Sequence, residues 1–236
     1  AIVTGGASGI GKAIAKRYTE EGADVVIFDI DEDQGQEVAG ELGCTFVRCD
    51  VSDRSNVKEA VQAVIDEHGQ LDILVNNAGI GAATKLHEME YDEWDRVIDI
   101  NLTGVMNCSK EAINHLRETE GAIINIASIY GLVGGSEATA YSAAKGGVVN
   151  LTRNLAVDYA EENVRVNAIC PGFVRTAMTD DYLEDEGFYE FVKTETPMGR
   201  VAEPDEIAGA AAFLASEDAS YITGAALPVD GGWTAH

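Results

Sequence analysis

Short runs of uninterrupted apolar residues recur along this chain, and most are followed by a longer segment with helical spacing. The runs are Ala1-Ile2-Val3-Thr4, Val25-Val26-Ile27-Phe28, 44–49, Ile73-Leu74-Val75, 122–127, 164–169 and 225–229. Their apolar character is continuous, not alternating, so both faces of the sheet they build must be covered. Helical patterns lie between them over 10–21 (stopped by Gly22), a polar stretch ending near Leu42, 57–67 (closed by Gly69), 94–116, 141–159 and 204–215. Repeated β-α-β units with right-handed crossovers predict an α/β fold, a doubly wound parallel sheet of about seven strands. No linker or break in composition divides the chain, so one domain is expected over 1–236. The one long segment without a clear period covers about 176–200, and its length predicts a lid over a binding site.

Charge narrows the partners. With 41 acidic and 16 basic residues the net charge is −25, a surface that repels nucleic acid and anionic membrane. The same balance resembles proteins of salt-rich cytoplasm, so molar salt is expected to stabilise the fold. Cys44, Cys49, Cys108 and Cys170 form no C-x-x-C pair, and Cys44 and Cys49 fall on opposite faces of one strand. Buried free thiols and no metal site are expected. No run approaches the roughly 18 apolar residues of a membrane span, and no signal peptide is visible; a cytoplasmic protein is expected.

Thr4-Gly5-Gly6-Ala7-Ser8-Gly9-Ile10-Gly11 joins the first strand to the first helix. Glycine there allows a sharp turn and close backbone approach, and the helix N-terminus behind it suits a pyrophosphate. A glycine-rich turn alone is weak evidence; its place between strand one and helix one strengthens it. Asp29 ends the second strand, where a carboxylate can accept bonds from the adenosine ribose; it could equally cap the next helix. Asp50 and Asn76-Asn77-Ala78-Gly79 end the third and fourth strands. Ligands in such sheets bind beyond the carboxyl ends of the strands, so these positions converge on one crevice of a Rossmann-type fold.

Downstream come Asn101, Ser128, Tyr141-Ser142-Ala143-Ala144-Lys145, Pro171-Gly172 and Asp230-Gly231-Gly232. Tyr141 and Lys145 lie four apart in a helical pattern and share a face. An ammonium there favours the phenolate of a tyrosine whose reference pKa is about 10, as acid/base chemistry near neutrality requires. Taken in order, these motifs closely resemble the short-chain dehydrogenase/reductase family in its classical form, over nearly the whole chain.

The resemblance implies an NAD-dependent oxidoreductase that interconverts a secondary alcohol and a ketone. Tyr141 would be the general acid/base, Lys145 would also hold the nicotinamide ribose, and Ser128 would bond the substrate oxygen. Asn101 would hold a water linking Lys145 to solvent. Cofactor contacts are expected from Gly5, Ser8, Gly9, Ile10, Gly11, Asp29, Ile30, Asp50, Val51, Asn77, Ala78, Gly79, Tyr141, Lys145, Pro171, Gly172, Val174 and Thr176. A homotetramer is implied, with the helices around Asn101 and Tyr141 at one interface and the C-terminal strand region at another. Two other readings stand beside it: an NADPH-dependent 3-oxoacyl-thioester reductase of the same family, and a dinucleotide sensor without turnover. Asp29 favours NAD, because no arginine lies in the loop or just after Asp29 to meet a 2′-phosphate. In 176–200, Met178, Tyr182, Phe188, Tyr189 and Phe191 accompany many acids and suggest an apolar pocket or a packed flap.

Overall fold

The computed structural model describes residues 1–235. Seven strands form one parallel sheet: β1 (Ile2–Thr4), β2 (Val26–Asp29), β3 (Thr45–Arg48), β4 (Ile73–Asn76), β5 (Ala122–Ile126), β6 (Arg165–Pro171) and β7 (Ala226–Val229). Their spatial order is β3-β2-β1-β4-β5-β6-β7, every pair parallel. The chain winds outward one way from β1 and the other way from β4. The switch point between those strands opens a crevice at their carboxyl ends.

Both faces are covered, as continuous apolar strands require. On one face α1 (Gly9–Glu20), α2 (Glu32–Leu42) and α9 (Pro204–Ala215) bury Ile14, Tyr18, Val38, Ile207 and Leu214 against Val3, Ile27 and Ile124. On the other, α3 (Arg54–His68), α5 (Gly104–Thr119) and α6 (Thr139–Tyr159) bury Val57, Val61, Cys108, Leu116 and Ala156 against Ile2, Phe28, Leu74 and Ile123. Cys44 packs on the first core and Cys49 on the second, on opposite faces as their spacing predicts. Cys49, Cys108 and Cys170 are buried, whereas Cys44 is half-buried.

Local signals set the helix ends. Asp31 caps α2 by accepting the Gln34 N–H, and Asp53 caps α3 by accepting from Ser55 and Asn56. Gly43 and Gly69 close those helices with φ of 69° and 78°, the left-handed conformation that glycine adopts without penalty.

Two expectations need correction. The helical spacing over 94–116 is not one helix: α4 (Tyr91–Ile98) leads through a π-helical turn, Asp99–Thr103, into α5. A π turn inserts one residue per turn, and side-chain periodicity cannot reveal it because both flanking helices keep their own phase. The stretch 176–200 is not without regular structure: it folds into α7 (Asp180–Leu183) and α8 (Glu186–Glu195). Among the described residues no helix is long and apolar enough to cross a membrane.

Candidate active site

A cleft of about 560 Å³ lies along the carboxyl ends of the strands. Its walls carry Gly5, Ser8, Gly9, Ile10, Asp29, Ile30, Asp50, Val51, Asn77, Ala78, Gly79, Asn101, Ser128, Tyr141, Lys145, Pro171, Gly172, Val174 and Thr176. Of the catalytic and cofactor-contact positions expected from the sequence, Gly11 alone is off the wall. It lies under the loop, where a Cβ would sit 2.0 Å from the Gly5 carbonyl oxygen. Its part is to let α1 pack against the loop, not to face a ligand.

The loop is held from below. The Thr4 hydroxyl accepts the N–H groups of Asn77 and Ala78 at 2.9 and 3.0 Å. The Asn77 side-chain amide donates to the Thr4 and Gly5 carbonyls at 2.9 and 3.0 Å. The Asn77 amide is therefore a brace between β4 and the loop. Gly5 and Gly9 have φ of 62° and 50°, and a Cβ on Gly5 would lie 2.9 Å from Ala78, so this turn is shaped for glycine. The result is a cradle of backbone at the N-terminus of α1, suited to an anionic group.

Asp29 does not cap α2; Asp31 does. The Asp29 carboxylate accepts the Ala7 N–H at 3.0 Å and the Asp31 N–H at 3.2 Å, which holds it beside the glycine loop. Asp50 accepts the Ser52 N–H and hydroxyl, and its own N–H donates to Asn56, so the turn after β3 is fixed against α3.

At the other end Tyr141 and Lys145 project from α6, with Lys145 Nζ 5.7 Å from the Tyr141 ring centroid. Nζ donates to the Ile126 carbonyl at 2.8 Å. Burial pushes the Lys145 pKa down to about 8, with the nearby Cys170 thiol acting in the opposite direction. Burial raises the Tyr141 pKa; the Ser128 hydroxyl beside it pulls it down and Tyr130 pushes it up. Ser128, buried at the end of β5, accepts the Tyr130 N–H at 3.1 Å. Asn101 is fully buried in the π turn. Its oxygen accepts the Ile80 N–H at 3.1 Å, and its amide donates to the Ile80 and Val97 carbonyls at 3.0 and 3.1 Å. Both donors of that amide are thus engaged with backbone, so the side-chain N–H groups are not free for a relay water.

Sequence reasoning missed what supports these groups. The Ile126 carbonyl that seats Lys145 and the Ile80 backbone that Asn101 pins carry no local signal. Beneath them, Asn76 donates to Asn125 at 2.8 Å and to Ser109 at 3.1 Å, and Asn125 donates to Thr152 at 2.9 Å. This buried polar line ties β4, β5, α5 and α6 together under the site through the Asn76 and Asn125 amide donors, while the Asn76 side-chain oxygen accepts no hydrogen bond. Asn76 stood in the quoted motif, but its partners lie 33 and 49 residues away.

Of the aromatic residues of 176–200, Tyr182, Phe188 and Phe191 pack on one another and on Phe173 and Trp233. Phe173 meets Phe188 at 5.6 Å and Trp233 at 5.2 Å between centroids, and Phe191 meets Trp233 at 6.0 Å. Met178, with Ala177 and Thr179, reaches the cleft. The nearby cations are engaged: Arg200 with Glu206, Lys193 with Glu190, and Arg175 with Glu203. Among the described residues no three His, Cys, Asp or Glu side chains are grouped to hold a metal ion.

The depressed Lys145 pKa makes stability depend on pH. Between about 8 and the model-peptide value of 10.5 the unfolded chain holds a proton that the folded chain has released. Stability from this group therefore rises with pH across that window. The stability of the wild type relative to Lys145→Met should increase there by up to about 3 kcal/mol. Urea titrations at pH 7 and pH 10 measure it; a difference that stays flat contradicts the burial cost.

Known proteins resemble this chain over nearly its whole length. The family model described as enoyl-(acyl carrier protein) reductase matches residues 5–234. The chain is 43% identical over 239 residues to meso-2,3-butanediol dehydrogenase of Serratia marcescens, covering 99% of this chain and 94% of that one. It is also 43% identical over 239 residues to the 3-oxoacyl-(acyl-carrier-protein) reductase of Chlamydia pneumoniae, covering 99% and 96%. The ligand-free structure of Thermoplasma acidophilum aldohexose dehydrogenase superposes with a TM-score of 0.93 at 37% identity, covering 100% of this chain and 93% of that one.

Proposed function

The chain belongs to the short-chain dehydrogenase/reductase family and is an oxidoreductase, and from that premise we propose that it interconverts a secondary alcohol and a ketone with NAD. The observation that carries the reading is the placement of Tyr141, Lys145 and Ser128 in one cleft with a glycine cradle and the Asp29 carboxylate.

The cradle of Gly5, Ser8, Gly9 and Ile10 would hold the pyrophosphate, Asp29 and Ile30 the adenosine ribose, and Asp50, Val51, Ala78 and Gly79 the adenine. Lys145 would bond the nicotinamide ribose, while Pro171, Gly172, Val174 and Thr176 flank the nicotinamide. When bound, the cofactor supplies a hydride acceptor or donor at the substrate carbon. The protein's part is the proton. In ketone reduction the Tyr141 hydroxyl donates to the carbonyl oxygen; in alcohol oxidation its phenolate takes the hydroxyl proton. With a pKa of about 8, Lys145 is mostly charged at neutral pH, and its ammonium beside the ring favours the phenolate against the upward pull of burial. Ser128 donates a hydrogen bond to the same substrate oxygen and offsets charge developing there. Asn101 acts as a positioning residue, pinning Ile80 at the cleft wall.

Cofactor choice follows from Asp29. An ionised carboxylate bonds two ribose hydroxyls strongly and repels a phosphate placed there. NAD is expected to be preferred over NADP by well over tenfold in kcat/KM, with the preference collapsing in Asp29→Ala. Equal use of the two cofactors by the wild type would end the assignment.

The NADPH-dependent oxoacyl-thioester reductase is the second reading, favoured by the family model and the Chlamydia relative. Against it stand the ion-paired cations of the lid, which offer no open site for a phosphopantetheine arm. A panel of vicinal diols, cyclic alcohols, aldoses and an oxoacyl thioester, each assayed with both cofactors, separates the two.

Assembly and salt are linked. Tyr221 is fully exposed in the single chain and Val157 is 79% exposed, which leaves apolar groups on α6 and near β7 for subunit contacts. The alanines of α9 have another use, since Ala208 and Ala211 are buried against α1 and the sheet. Bringing together protomers of charge −25 is opposed by repulsion. Salt shortens its range, from about 10 Å at 0.1 M to about 3 Å at 1 M. Light scattering and melting curves in molar KCl should give a tetramer and a higher Tm than at low salt; a monomer, or an unchanged or lower Tm, opposes the proposal.

A further inference from the structure

We propose that Arg48 is a second determinant of cofactor choice: a cation beside Asp29 that would bind the 2′-phosphate of NADP if the Asp29 charge were removed. The inference rests on the dinucleotide reading of the cleft.

The argument is one of register. β2 and β3 pair in parallel with Ile27 opposite Phe46, Phe28 opposite Val47 and Asp29 opposite Arg48. Side chains in register point to the same face, and the face alternates along each strand. Ile27 and Phe46 both join the core under α1 and α2, whereas Phe28 and Val47 join the opposite core. Asp29 and Arg48 therefore return together to the α1 side. The glycine loop lies on that side too, since a Cβ on Gly6 would meet Ile27 at 2.6 Å. Adjacent strands run about 4.8 Å apart, well within the reach of an arginine side chain.

Arg48 is also unengaged. It is exposed at the sheet edge, and among the described residues it makes no side-chain hydrogen bond or ion pair. Asp29 directs its oxygens to the Ala7 and Asp31 N–H groups instead. The basic residues of α1 are committed elsewhere: Lys12 to Glu41, Lys16 to Glu20 and Arg17 to Glu21. A guanidinium can bind phosphate through two parallel N–H bonds, which suits it to a 2′-phosphate. Selectivity for NAD then depends on the Asp29 charge prevailing over an arginine already in place.

Dissociation constants for NADH and NADPH, read by fluorescence titration, test this in wild type, Asp29→Asn, Arg48→Gln and the double variant. Asp29→Asn removes the charge but keeps an acceptor for the Ala7 N–H. The ratio of NADPH to NADH dissociation constants should fall by about tenfold or more in Asp29→Asn and recover most of that change in the double variant. Equal ratios in Asp29→Asn and the double variant would overturn the role of Arg48. Where Asp29→Asn does not fold, Asp29→Ala with and without Arg48→Gln decides: a lowered ratio that Arg48→Gln restores supports the role, and equal ratios in the two overturn it. Failure of the wild type to bind either dinucleotide would instead remove the reading beneath it.

Discussion

Tyr141→Phe is expected to lower kcat by about 10²–10⁴-fold while NADH still binds. The substitution removes one hydroxyl and leaves the ring, so the packing around Lys145 Nζ, 5.7 Å from the ring centroid, is preserved. What disappears is the group that gives or takes the proton of the substrate oxygen. The Ser128 hydroxyl remains, but a serine has no comparable acidity and is already fixed by the Tyr130 N–H. Single-turnover rates and NADH fluorescence titrations on the same preparation separate chemistry from binding. Turnover within about tenfold of wild type would remove Tyr141 from the acid/base role. Loss of NADH binding together with turnover would mean that the hydroxyl holds the cofactor instead.

Gly11→Ala should produce the second large effect, although Gly11 faces no ligand. An added Cβ would lie 2.0 Å from the Gly5 oxygen and 2.5 Å from Asn77 Nδ2, and the first of these is backbone that cannot rotate away. The helix and the loop must separate, at about 1–3 kcal/mol of stability. Displacement of the cradle by an ångström should weaken dinucleotide binding by about 10²-fold. Gly40→Ala is the matched control. It lies within α2 with nothing within 4 Å of its Cβ, and should stabilise the fold by roughly 0.5–1 kcal/mol. Wild-type NADH affinity in Gly11→Ala would show that the loop tolerates the displacement.

The amino-acid sequence by itself determined the parallel α/β sheet, because burial on both faces writes itself into every strand as an unbroken apolar run. It also marked most of the cleft wall. Residues at the carboxyl ends of strands must converge once the sheet is doubly wound, so Asp29, Asp50, Asn77 and Ser128 could be placed from strand ends alone. Tyr141 and Lys145 were legible for a different reason: four residues on a helix fix a shared face without any tertiary information.

Only the tertiary structure decided the rest, and the reason is distance along the chain. That Asp29 meets the Ala7 N–H while Asp31 caps α2 depends on how the loop after β1 lies over β2. The π turn at Asn101 is set by the bonds of its side chain to Ile80, 21 residues away, and not by any periodicity. Arg48 stands beside Asp29 through strand register, which no local pattern encodes. Each of these is a contact between segments whose separate sequences are satisfied equally well in other arrangements. Burial chooses the sheet, but the pairing of its edges chooses which charges face each other.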